Sequence, residues 1–155
     1  MKKSIKFFSS SPLETKRIAK KISQEILKEK KGPLFLILKG PLGSGKTFFV
    51  KSLAKNLGIK EVIKSPSFVI FKKFKIRNKK SFFKFLYHFD LYRIKNFSEI
   101  KELNLKEILS QPQNLIVLEW GEKIKRNLLK KRTYLISFRF ISPNQREIKI
   151  LKSFF

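Results

Sequence analysis

Two stretches of this chain are apolar without alternation. Pro33-Leu34-Phe35-Leu36-Ile37-Leu38 is one, and Asn114-Leu115-Ile116-Val117-Leu118-Glu119-Trp120, which ends in an acid, is the other. Strands buried on one face alternate apolar and polar residues, so unbroken runs predict strands covered on both faces. Around them the spacing becomes helical. Leu13, Ile18, Ile22, Ile26 and Leu27 recur on one face up to about Lys30, and Gly32-Pro33 ends the pattern. Ser11-Pro12-Leu13-Glu14 supplies the entry: a capping hydroxyl, a proline in the first turn and a carboxylate three residues after the cap. Residues 48–57 place apolar side chains at 49, 50, 53, 54 and 57, and Gly58 follows as a stop.

The remaining pattern is richer in β-formers. Residues 4–8 predict a short first strand. Phe68 to Ile76 and Phe82 to Phe89 predict two antiparallel strands across the polar loop Arg77-Asn78-Lys79-Lys80. Residues 97–110 divide into two short helices near Asn104, and a short helical or irregular piece follows the 114–120 strand. Residues 133–141 and 146–151 predict a closing hairpin across Ser142-Pro143-Asn144-Gln145. No repeat or linker interrupts the chain, so the expectation is a mixed α/β fold in a single domain, 1–155.

Between the first buried run and the helix after it lies Gly40-Pro41-Leu42-Gly43-Ser44-Gly45-Lys46-Thr47. This fits G-x-x-x-x-G-K-[ST] at each required position. Glycines allow the backbone to turn several N–H groups inward as a nest for phosphate oxygens. Lys46 can then reach the β- and γ-phosphates, and the Thr47 hydroxyl can ligate Mg²⁺. Strand, glycine turn and helix occur in the order this chemistry needs, so the sequence predicts binding of a nucleoside triphosphate.

Acids are scarce, 11 in 155 residues, and that narrows the rest of the site. Glu119 ends the second buried strand, where a P-loop enzyme keeps the carboxylate on the Mg²⁺ side of its site. Asp90, the single Asp, follows an apolar strand in His88-Phe89-Asp90-Leu91-Tyr92-Arg93. It can orient water, act as a base or contact Mg²⁺; the plainer alternative is a structural pair with Arg93. His88, the lone His, reads as structural, because too few ligands surround it for a metal site. Trp120 fits core packing or a partner contact better than stacking on a base.

Composition adds limits. With no Cys, disulfides, thiol catalysis and Cys-held metals are excluded. The N-terminal apolar stretch is short and broken by Lys6, which does not make a signal peptide, and no run nears the roughly 20 residues of a membrane span. A cytoplasmic protein without membrane contact is expected. The net charge of +26 favours nucleic acid and phosphorylated ligands. Yet the lysines are spread along the chain alongside abundant Ile, Asn and Phe, as an AT-rich genome would also produce.

The P-loop, Ser65-Pro66-Ser67-Phe68, His88-Phe89-Asp90-Leu91-Tyr92-Arg93 and Leu118-Glu119-Trp120 occur in this order and at these separations. Together they resemble the TsaE (YjeE) family, small bacterial P-loop ATPases of tRNA threonylcarbamoyladenosine biosynthesis. The resemblance implies a P-loop NTPase fold with a mixed parallel and antiparallel sheet flanked by helices. It implies ATP and Mg²⁺ as cofactors, and slow hydrolysis that depends on partners. Those partners would be TsaD-like and TsaB-like subunits of the complex that modifies adenosine 37, with tRNA contacted directly or only through them. It makes Lys46, Asp90 and Glu119 catalytic, and Thr47 and Glu119 the Mg²⁺ positions. Nucleotide contacts would come from Gly43, Ser44, Gly45, Lys46, Thr47 and Phe48, with Pro12 and Glu14 near the adenine and Arg146 in the last hairpin. Ser65 to Phe68 resembles a switch segment. Phe48, Ser67 and Gly121 depart from the family pattern, where Thr, Thr and, in some members, Pro stand; none of these changes removes a reacting group. A small-molecule P-loop kinase and a non-hydrolysing nucleotide switch or RNA-binding subunit are the alternatives. The kinase would need an Arg-bearing lid, which the Ser65 to Phe68 loop lacks.

Overall fold

A computed structural model describes residues 2–64, 70–128 and 131–153. The chain runs β1 (Lys2–Ser9), α1 (Pro12–Lys28), β2 (Leu34–Lys39), α2 (Lys46–Asn56), β3 (Phe71–Lys75) and β4 (Phe85–Asp90). It continues through α3 (Phe97–Lys101), α4 (Lys106–Ser110), β5 (Asn114–Glu119), a 3₁₀ segment (Gly121–Leu128), β6 (Thr133–Ser142) and β7 (Gln145–Ser153). The strands form one seven-stranded sheet in the order β1-β7-β6-β2-β5-β4-β3. The four central strands, β6, β2, β5 and β4, are parallel neighbours. Antiparallel pairs extend the sheet at both sides, β3 on β4 and β7 between β6 and β1.

The unbroken apolar runs explain the centre. Along β2, Leu34, Leu36 and Leu38 pack with Ile18, Ile22 and Ile26 of α1 and Phe49, Val50 and Leu53 of α2. Phe35 and Ile37 point the other way, among Ile116, Leu118, Ile124 and Leu128. Each residue from Leu34 to Leu38 therefore meets a core, and these five consecutive β2 side chains are buried. Burial on this scale contributes about 1.5–3 kcal/mol for each large side chain. The predicted helix entry is present. Ser11 Oγ accepts from the Glu14 N–H at 3.2 Å, and the Glu14 carboxylate accepts from the Ser10 N–H. Asn104 adopts a left-handed conformation (φ 53°) and separates α3 from α4, as expected there.

Boundaries differ modestly from the sequence reading. β1 is longer than 4–8 because its whole length pairs with β7, from Lys2↔Ser153 to Ser9↔Arg146. The described part of the predicted 68–76 strand is shorter, Phe71–Lys75. Ser65, Pro66, Ser67 and Phe68, the expected switch segment, lie outside the described residues. No helix among the described residues is long and apolar enough to cross a membrane.

Candidate functional site

The parallel centre of the sheet fixes the site. β2, β5 and β4 run in the same direction, so their carboxyl ends meet at one edge, the place where open α/β sheets gather ligand-binding groups. β2 delivers the P-loop there, β5 delivers Glu119 and β4 delivers Asp90. Register makes the last two immediate neighbours, since Asp90 pairs with Glu119 across the β4–β5 ladder.

Backbone conformation in the P-loop depends on glycine at specific points. Gly45 has φ 100°, and a Cβ there would lie 2.6 Å from Arg146 Nη1. Gly40 has φ 152°, and a Cβ would meet the Phe138 carbonyl oxygen at 2.7 Å. The loop is thus pressed against the closing hairpin. Arg146 secures it by donating from Nη1 to the Ser44 carbonyl at 2.7 Å. Ser44 Oγ is fully buried in this cradle and has no hydrogen-bond partner. Such an orphaned hydroxyl is costly unless a ligand satisfies it.

Lys46 begins α2 and is 5% exposed. Its ammonium donates to the carbonyls of Gly40 (2.6 Å) and Pro41 (3.0 Å), and it lies 4.2 Å from the centre of the Trp120 ring. Burial pulls its pKa below the usual lysine value, opposed by the negative charges of Glu119, Glu122 and Asp90. The next residue turns to those acids. Thr47 Oγ1 donates to the Glu119 carboxylate, 2.9 Å from Oε1 and 3.0 Å from Oε2. Glu119 is itself buried at 3% exposure, and His88 Nε2 lies 2.8 Å from its Oε1. A carboxylate only accepts, so Nε2 carries the hydrogen. Asp90 Oδ1 accepts from the Tyr92 N–H at 3.0 Å, which closes a turn at the end of β4.

These residues fit a nucleotide with Mg²⁺. Magnesium usually takes one or two carboxylates with hydroxyls, waters and substrate phosphates, rather than a cage of protein acids. Thr47 and Glu119 provide such an oxygen pair beside the glycine-rich loop. Among the described residues, no group of three or more His, Cys, Asp or Glu could hold a metal alone.

The structure therefore brings Gly43, Ser44, Gly45, Lys46, Thr47 and Glu119 together, with Asp90 alongside. Arg146 reaches the same loop. Pro12 and Glu14 lie in the first turn of α1, which follows Ser9, the register partner of Arg146, and Lys16 of that helix has its ammonium 5.9 Å from the Phe48 ring. The Glu14 carboxylate is engaged in capping α1. From sequence His88 reads as structural and Trp120 as core packing or a partner contact; the structure gives His88 a bond to Glu119 and sets Trp120 over Lys46. The His88 signal was present, because strand alternation puts residues 88 and 90 on one face.

A sequence model of the family described as "Threonylcarbamoyl adenosine biosynthesis protein TsaE" matches residues 9–148. The chain belongs to the TsaE family. Its similarity extends to named members. The tRNA threonylcarbamoyladenosine biosynthesis protein TsaE of Rickettsia typhi is 36% identical over 147 residues, 94% of each chain. That of Bacillus subtilis is 35% identical over 146 residues, 94% of this chain and 84% of the relative. The crystal structure of Bacillus subtilis YdiB superposes with a TM-score of 0.72 at 30% identity, covering 98% of this chain and 87% of that one. TsaE membership places the protein in tRNA threonylcarbamoyladenosine biosynthesis.

Proposed function

We propose that this TsaE-family protein is a Mg²⁺-dependent ATPase that acts on the TsaD-like and TsaB-like subunits of the complex modifying tRNA adenosine 37. The observation that carries the reading is the contact between Thr47 and Glu119. A P-loop hydroxyl and a buried strand-end carboxylate lie within hydrogen-bond distance of each other, beside the phosphate cradle.

Each residue then has a task. The backbone N–H groups of Gly43 and of Gly45 to Phe48 bind phosphate oxygens, and the Ser44 hydroxyl gains a partner. Lys46 neutralises the β- and γ-phosphates. Thr47 and Glu119 hold Mg²⁺, which supplies positive charge to offset the charge developing on the phosphates. Asp90, one ladder step from Glu119, positions or deprotonates the attacking water. Arg146 ties the closing hairpin to the loop, while Pro12 and Glu14 border the nucleotide on the α1 side. ATP is the nucleotide expected from the family.

Calorimetric titration with ATP tests the binding half of the proposal. The wild type should bind in the presence of Mg²⁺, and Lys46→Ala should weaken binding by at least about tenfold. Retained affinity in Lys46→Ala would remove the phosphate role assigned to this side chain.

A further inference from the structure

Trp120 is held in an unusual way. Its backbone is left-handed (φ 60°), a conformation bulky residues rarely adopt. The Trp120 N–H donates to the Leu38 carbonyl at 3.0 Å, which extends the β2–β5 ladder one residue beyond Glu119. Gly121 follows so tightly that a Cβ on it would lie 2.8 Å from Ile37 Cγ2. Backbone strain of this kind persists only where the surroundings over-determine it. The result is an indole facing the P-loop, with the Lys46 ammonium 4.2 Å from the ring centre.

The other side of the contact leads outward. Tyr92 packs on Trp120 with ring centres 5.2 Å apart, and Tyr92 is 51% exposed. Lys123 braces it, with its ammonium 5.7 Å from the Tyr92 ring and donating to the Leu91 and Tyr92 carbonyls. A continuous chain of contacts therefore joins the P-loop lysine to a surface aromatic residue.

We propose that Trp120 is a nucleotide-sensing residue: its ring competes with phosphate for the Lys46 ammonium, and Tyr92 sets how firmly the ring holds it. The inference rests on the nucleotide-binding reading and deepens it to regulation of that site. An ammonium that spends its donors on the Gly40 and Pro41 carbonyls and its charge on an indole must loosen those contacts to serve a phosphate oxygen. Nucleotide affinity is thereby set below what the phosphate nest alone would give. A partner surface that covers Tyr92 gains a handle on Lys46 without reaching the phosphates.

The test is nucleotide affinity in Trp120→Leu and Tyr92→Ala, measured by calorimetry with ATP and Mg²⁺. Leucine keeps a Cβ, so the left-handed backbone remains equally unfavourable and only the ring is lost. Trp120→Leu should bind ATP about three- to tenfold more tightly than the wild type, the range expected for releasing a partly desolvated cation–π contact. Tyr92→Ala should shift affinity in the same direction by a smaller factor. It changes an exposed side chain and keeps the sole tryptophan, so it serves if Trp120→Leu does not fold. In Tyr92→Ala and the wild type, Trp120 emission should change on adding ATP, with a midpoint matching the calorimetric one. Unchanged or weaker affinity in the folded variants would make Trp120 a packing residue and overturn the proposal. Absence of ATP binding by the wild type would instead remove the nucleotide reading beneath it.

Discussion

Glu119 accepts hydrogen bonds from two directions, from the Thr47 hydroxyl and from the His88 ring. That arrangement orients the carboxylate proposed to hold the cation. His88 is fully buried, its Nε2–H is directed at Oε1, and rotation of the carboxylate is restrained. Asp90 is different. Its Oδ1 closes a local turn with Tyr92, yet the residue stands one ladder step from Glu119 at the same sheet edge. On the proposed reading, Asp90 acts on the attacking water rather than on ground-state binding. Asp90→Ala should lower ATP hydrolysis by about a hundredfold, within the range for losing a positioned acid or base. ATP affinity should change by less than about threefold. A parallel fall of binding and turnover in steady-state kinetics and calorimetry would reassign Asp90 to structure.

At the scale of elements, the strand–loop–helix unit of β2, the P-loop and α2 was readable because each part obeys a local rule. The apolar run from Leu34 to Leu38 demands cover on both faces, and the glycines demand a turn. The α1 entry was readable for the same reason, as Ser11, Pro12 and Glu14 act within one turn. Strand order was not readable. Nothing local in Gln145–Ser153 says that β7 will sit between β6 and β1, because that choice depends on side chains far apart in sequence. The bond from His88 to Glu119 needed the β4–β5 register, 31 residues apart, and the ring of Trp120 over Lys46 needed a left-handed turn that no motif encodes. Gly121 is a related case. Read from sequence it is a departure from family members that have Pro, but the structure shows a tight approach to Ile37 and Leu118, with a Cβ placed 2.8 and 2.9 Å from their side chains. Gly121→Ala should therefore cost about 1–3 kcal/mol as overpacking. Chemical denaturation would show it as a lower midpoint at unchanged slope; an unchanged midpoint would mean that the 3₁₀ segment shifts freely to make room.

Over the whole molecule, the sheet edge that carries Thr47, Asp90 and Glu119 also carries the start of α1 and the Arg146 end of the closing hairpin. Antiparallel strands flank the parallel centre on both sides, β3 on β4 and β7 between β6 and β1. Charge has a different standing. The +26 balance favours anions in general, but the proposed site is specified by a few buried contacts. Family membership sets the process, tRNA threonylcarbamoyladenosine biosynthesis. The step we propose within it is ATP hydrolysis under the control of partner subunits. The deciding measurement is phosphate release from ATP by the purified protein, with and without Mg²⁺, alone and with the TsaD-like and TsaB-like subunits plus tRNA. The account predicts slow Mg²⁺-dependent release that rises when the partners are present and is lost in Lys46→Ala. Tight ATP binding with no release under any of these conditions would contradict it and leave a nucleotide switch. Phosphate passed to a small molecule, unaffected by the partners, would contradict it in favour of a kinase.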